Sequence, residues 1–216
     1  DPVLRSIIGL PCYRVTVLDP DNKLSIARKL VDEGLGQFCL SRQTINVGMS
    51  GTVIISYCES PDRFWVQLTK NSGELDEMME SLNSPERVAK QQPIPFSALF
   101  SGVACCVSYD EDGRFYRGEI TKATASEVSV LYADYGNSTV VAPSSVLQLS
   151  HPFVALPVQA LQCQLDGAEQ ARGAAAVWSE SAIQLFADHC STEEFNILFG
   201  PQVSPGVYKV TLSSNA

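Results

Sequence analysis

The stretch YDEDGRFYRGEITKATASEVSVLYADYGN, residues 109–137, decides how this chain folds. It holds Tyr109, Tyr116, Tyr132, Tyr135 and Asn137, and so four of the seven tyrosines in the chain. Runs of strand-forming residues are cut by DEDG, TAS and DYGN. Four or five strands this short, between about 102 and 149, predict a small antiparallel barrel. Gly136 supplies the permissive backbone of the DYGN turn. In such a barrel the tyrosine positions converge at one mouth, where the negative ring faces attract a cation. The carbonyl of the Asn137 amide adds an acceptor for a guanidinium N–H. Methylation keeps the charge of arginine and removes donors, so a dry aromatic box with one acceptor suits the methylated form. The plainer alternative is that these tyrosines cover a barrel as ordinary strand residues.

The flanks read as further short elements. GTVIISYC at 51–58 and FWVQLT at 64–69 form two strands around the turn ESPDR. Phe64 and Trp65 are expected in the core. GELDEMMESLN at 73–83 places Leu75, Met78, Met79 and Leu82 on one helical face. Residues 39–50 are polar and irregular, a candidate linker. Residues 84–98 contain three prolines and read as a connector. HPFVALP at 151–157 reads as extended, VQALQCQLD as a strand, and WSESAIQLFADHC at 178–190 as a helix with Trp178, Ala182, Leu185 and Phe186 inward. EFNILFG and GVYKVTLSS close the chain as strands. Ahead of all this, YRVTVL at 13–18 predicts a strand and residues 24–36 a helix. YRVTVLDPDN from Tyr13 echoes YKVTLSSNA from Tyr208, which fits tandem copies of a large domain. The start at Asp1 fits a fragment of a longer protein.

Composition narrows the classes. The 216 residues are 45% hydrophobic and 18% charged, enough to bury a core and too apolar for disorder. A net charge of −9 disfavours broad phosphate-backbone binding and favours a basic partner. The seven cysteines show no CxxC spacing and read as buried reduced thiols of an intracellular protein, not a zinc site. No apolar run reaches the length of a membrane span.

FYRGEI followed by LYADYGN resembles the Tudor domain, in the form found in germline multi-Tudor proteins and the Tudor–staphylococcal-nuclease protein. SPDRFWVQL with LDEMMESLN resembles the upstream part of an extended Tudor domain, and LPVQALQCQL with WSESAIQLF its downstream part. The resemblance spans roughly residues 46–212. It implies a mainly β fold with a few helices (α+β), with a Tudor SH3-like barrel inserted into a split staphylococcal-nuclease-like OB-fold. The expected divisions are 1–38, the tail of a preceding repeat; 46–83, the first half of the OB-like lobe; 84–98, a connector; 99–150, the Tudor barrel; and 151–216, the second half of the lobe. The resemblance further implies binding of symmetrically dimethylated arginine in the Arg-Gly or Arg-Ala tails of Piwi-clade Argonaute proteins. It implies a scaffold role in the piRNA pathway, in the cytoplasm and germ granules. The family's cage falls on Tyr109, Tyr116, Tyr132 and Tyr135, and its amide on Asn137. Arg117 and Asp134 are expected to brace adjacent strands through a guanidinium–carboxylate fork; contact of Asp134 with the ligand is the alternative. Asp110, Glu111 and Asp112 crown the loop beside the cage, either attracting basic residues of a peptide or merely solvated.

Catalysis finds little support. No GxSxG, HExxH or P-loop occurs, Arg63, Asp166 and Arg172 are scattered, and His151 and His189 have no evident partner. No enzyme activity, cofactor or metal is expected. Two other readings remain: a single-stranded RNA-binding or nuclease-like module using the OB-like lobe, and a structural spacer with an occluded cage.

Overall fold

The computed structural model describes residues 37–172, 177–190 and 194–214. The strand expected at 13–18, the helix expected at 24–36 and the Tyr13 half of the echo lie outside the described residues. Among the described residues, no helix is long and apolar enough to cross a membrane.

The described residues form two β structures. The first is a closed five-stranded barrel of β1 (Ser50–Ser60), β2 (Arg63–Leu68), β8 (Leu161–Leu165), β10 (Val207–Ser214) and β9 (Phe195–Ser204), in that spatial order. Its β8–β10 pair is parallel and its other pairs are antiparallel, a small five-stranded barrel of the kind OB folds use. The second is a five-stranded antiparallel sheet in the order β6 (Ser138–Val141), β5 (Val128–Tyr132), β4 (Phe115–Ala123), β3 (Ala104–Ser108), β7 (Leu147–Gln148). The chain completes this sheet between β2 and β8, so the closed barrel is assembled from segments on both sides of it.

Period-2 alternation explains the apolar run VACCV. Val103, Cys105 and Val107 face a core with Ile120, Val128, Val130 and Val146. Ala104 and Cys106 face the other way, onto helix α1 (Ser72–Leu82). There the predicted stripe of Leu75, Met78, Met79 and Leu82 is buried with Phe153 and Val158. The closed barrel has its own core around Val53, Phe64, Val66, Phe199 and Val210. Gly118 of FYRG is needed where β4 meets β5. A Cβ there would overlap Val130 and stand 3.2 Å from the Cys105 sulfur.

Several expectations change. Residues 39–50 are not a free linker before β1: Leu40 is buried against α1, and the Ser41 carbonyl accepts from the Val158 N–H at 2.8 Å. The polar residues that made this segment look loose supply its partners, with Gln43 bonded to the Val158 carbonyl at 2.9 Å. The connector contains a one-turn helix α2 (Pro85–Val88), with its proline in the first turn where a missing N–H costs nothing. A short helix α3 (Ala168–Arg172) follows β8. HPFVALP is a 3-10 turn at His151–Val154, not an extended segment. In α4 (Glu180–Cys190), Leu185 is 67% exposed, and Phe186 packs on Phe64 at 5.4 Å while Cys190 is buried. The helix turns Phe186 and Cys190, at i and i+4, toward the barrel, which leaves Leu185 off the face. Cys105, Cys106, Cys163 and Cys190 are buried thiols, whereas Cys39 is exposed.

The deepest polar feature joins the two β structures. Arg117, on β4, has its side chain fully buried, and that of Asp134, in the turn after β5, is 2% exposed. The guanidinium forks onto the carboxylate through Nε at 2.9 Å and Nη2 at 2.6 Å. Its other N–H groups reach the carbonyls of Phe153 at 2.7 Å, Leu156 at 2.6 Å and Pro157 at 3.2 Å. All five donors of the guanidinium are therefore used. Asp134 also accepts from the Gln159 backbone N–H at 3.0 Å. Removing one member strands a buried charge. Arg117→Met is expected to destabilise the fold by roughly 3–5 kcal/mol in chemical denaturation, and Arg117→Met with Asp134→Leu by clearly less. Equal losses from the single and double variants would contradict this.

Candidate functional site

Each predicted cage residue is placed by a local feature of the small sheet. Tyr109 directly follows β3. Its N–H bonds to the Arg114 carbonyl and its own carbonyl accepts from Gly113, both at 2.8 Å, which closes the acidic loop. Tyr116, on β4, lies across from Val107. Tyr132 ends β5. Its carbonyl accepts from the Gly136 N–H, and its N–H bonds the Asn137 carbonyl, both at 2.9 Å, so the ADYG turn is tight. Tyr135 and Asn137 leave that turn on the same side.

The four rings meet as walls at near right angles. Tyr109 and Tyr116 are 6.0 Å apart at 83°, and Tyr109 and Tyr132 are 5.6 Å apart at 87°. Tyr116 lies 5.8 Å from Tyr132 at 82° and 5.2 Å from Tyr135 at 85°. Such edge-to-face contacts are the favoured aromatic geometry and fix ring orientation. They border an open cavity of about 220 Å³, which Asn137 also lines. The Asn137 side-chain amide makes no hydrogen bond to any described residue.

The Tyr132 and Tyr116 hydroxyls are tied down, which leaves their ring faces for a ligand. The Tyr132 hydroxyl donates to the Ser108 carbonyl at 3.0 Å and that of Tyr116 to Asp112 at 2.6 Å. Asp112 also accepts from the Arg114 backbone N–H at 2.9 Å. The Tyr116 hydroxyl, followed by the Arg114 amide, holds the Asp112 carboxyl below its ordinary range. Burial, then Asp112, pushes the Tyr116 phenol up. A hydrogen bond with Glu111 raises that of Tyr109, and burial raises that of Tyr135. Burial takes Tyr132 to about 12. No cage ring carries charge at neutral pH.

The cage turn rests on the closed barrel. Gly136 has φ of +98°, and a Cβ there would overlap the Trp65 ring. Trp65 is in the core as expected, at 4% exposed, and it is also the surface on which this turn lies. Ser56 donates to the Tyr135 carbonyl at 2.8 Å, and the Gln67 amide donates to the Asp134 carbonyl. Ser56 and Tyr57, from β1, line the same cavity as the tyrosines. Sequence reasoning missed both, because they lie far upstream of the cage. A regular ladder would pair Ser56 with Trp65, and only the bulge at Ser56 brings Tyr57 there, so the sequence carried no signal for it. Arg117 and Asp134 are brought beneath the turn, outside the cavity lining, and both Asp134 oxygens are engaged by Arg117 or Gln159.

The sequence profile of the Tudor domain family matches residues 45–167. This chain belongs to the Tudor domain family. Tudor domain-containing protein 1 of Mus musculus is 31% identical over 144 residues, 65% of this chain and 12% of that protein. The chain spans 5% to 13% of the length of the curated relatives it matches. The fold of the Tudor chain is likewise similar to that of solved extended Tudor domains. One, from mouse TDRD1 in complex with a MILI peptide containing dimethylarginine, aligns with a TM-score of 0.73 at 21% identity, over 83% of this chain and 89% of that one. Another, from Drosophila melanogaster Papi in complex with a symmetrically dimethylated N-terminal Piwi peptide, has a TM-score of 0.65 at 22% identity, over 78% and 90%.

Two outcomes test the site's construction. Gly136→Ala is expected to cost more than about 2 kcal/mol in a denaturant titration, since positive φ alone costs an L-residue roughly 1–2 kcal/mol before the overlap with Trp65. A near-neutral effect would show that the turn is not seated on Trp65. For pH, the raised phenol of Tyr132 keeps the neutral form. Its contribution to stability is complete below the unfolded value of about 10 and is lost as pH rises through the folded value of about 12. Ultraviolet titration of the folded chain should show cage tyrosines ionising after the exposed ones. Ionisation of all tyrosines together near the ordinary value would contradict that burial.

Proposed function

We propose that this Tudor chain is a methylarginine reader that performs no chemistry. The observation that carries the reading is the cavity of four right-angled tyrosines beside an asparagine amide that has no hydrogen-bond partner among the described residues. The ring faces offer several cation–π contacts, each worth about 0.5–2 kcal/mol according to desolvation. Asn137 offers one directed acceptor. Symmetric dimethylation leaves each terminal nitrogen with one methyl and one N–H. One N–H can meet Asn137 while both methyls press on rings.

The partner class is the arginine-methylated tail of Piwi-clade Argonaute proteins. Two supports are the methylated peptides carried by the similar extended Tudor domains and the exposed acidic loop Asp110–Asp112 at the mouth. That loop steers a basic tail and does not decide specificity. In a longer scaffold of the piRNA pathway, in germ granules, several weak sites of this kind gain avidity through effective concentration.

Calorimetric titration with one Arg-Gly peptide in unmethylated, asymmetric and symmetric forms tests the reading. The symmetric form should bind tightest. Tyr135→Ala and Asn137→Ala should each weaken it by about tenfold or more, with the fold retained by circular dichroism. Equal affinity for all three forms, or tighter binding of a single-stranded oligonucleotide, would overturn it.

A further inference from the structure

Tyr57 lies on the closed barrel, yet it borders the cage cavity. The β1–β2 ladder pairs Ile55 with Val66 and then Tyr57 with Trp65, so Ser56 is an extra residue in the strand. Such a bulge re-aims neighbouring side chains. Here it lets Ser56 bond the Tyr135 carbonyl while Tyr57 stands at the mouth, 37% exposed. Its hydroxyl makes no hydrogen bond to any described residue. Behind it, Trp65 packs at 5.6 Å and 43°. Trp65 is itself packed against the Gly136 turn, and the Arg63 guanidinium lies 5.5 Å from its ring centroid. Tyr57 is thus a supported ring with a free face and a free hydroxyl.

The cavity is about 220 Å³, below the usual range for drug-sized ligands and suited to one extended side chain. A peptide whose side chain fills it must leave its main chain at the mouth, where Ser56 and Tyr57 form the closed-barrel side. Resting on the methylarginine reading above, we propose that Tyr57 is a specificity-determining residue that reads the peptide and not the methylated group. Its ring packs on the main chain beside the inserted arginine, and its hydroxyl bonds a main-chain polar group. The four cage tyrosines and Asn137 hold the guanidinium. Tyr57 makes the site prefer a methylarginine within a chain over the free amino acid.

The test compares free symmetric dimethylarginine with a methylated Arg-Gly peptide, on the wild-type chain and on Tyr57→Ala and Tyr57→Phe. Tyr57→Ala should weaken the peptide about fivefold and leave the free amino acid unchanged, with Tyr57→Phe between. Thermal unfolding confirms that the variants are folded, as the half-exposed position allows. An equal loss for both ligands would make Tyr57 another wall of the cage and overturn the proposal. No loss for either would also overturn it. A wild-type chain that binds neither ligand overturns the cage reading itself, and this inference with it.

Discussion

The fork between Arg117 and Asp134 is the constraint on which the rest of the structure depends. Neither charge reaches water, so the pair is tolerable only because its hydrogen-bonding capacity is filled. Filling it requires three separate segments to arrive together. These are β4 with Arg117, the turn after β5 with Asp134, and the returning chain at 153–159 with its free carbonyls and the Gln159 N–H. That returning segment leads directly into β8 of the closed barrel. Satisfying one guanidinium therefore sets the small sheet against the barrel, and puts the cage turn within reach of Ser56, Trp65 and Gln67.

Charge is divided between two tasks. Inside, it is neutralised and serves position. At the mouth, Asp110 and Glu111 remain exposed, and Asp112 is partly used to hold the Tyr116 hydroxyl. Between these layers the cage is neutral and aromatic, a place where a weakly hydrated cation loses little by leaving water. Tying hydroxyls to Ser108 and Asp112 keeps the ring faces available.

Much of this was legible in the sequence because it is local. Tyr109 to Asn137 span two consecutive strands, β4 and β5, and the turns around them, and short-range alternation places them. The stripe of α1 followed helical period. What stayed hidden depends on long-range fit. HPFVALP looked extended because prolines suppress regular pairing, yet its unpaired carbonyls are what Arg117 needs. Residues 39–50 looked like a linker because polar residues carry no period, yet Leu40 and Gln43 dock them. Tyr57 was hidden for a third reason. A one-residue bulge changes which way a side chain faces, and nothing in GTVIISYC announces it. Leu185 fell off the buried stripe because the helix phase is set by Phe186 on Phe64.

The most direct measurement is a crystal structure of the chain with a symmetrically dimethylated Arg-Gly peptide. The account predicts the dimethylguanidinium among Tyr109, Tyr116, Tyr132 and Tyr135, with one N–H about 3 Å from the Asn137 carbonyl oxygen. A peptide bound elsewhere, with the four rings closed on one another, would contradict it.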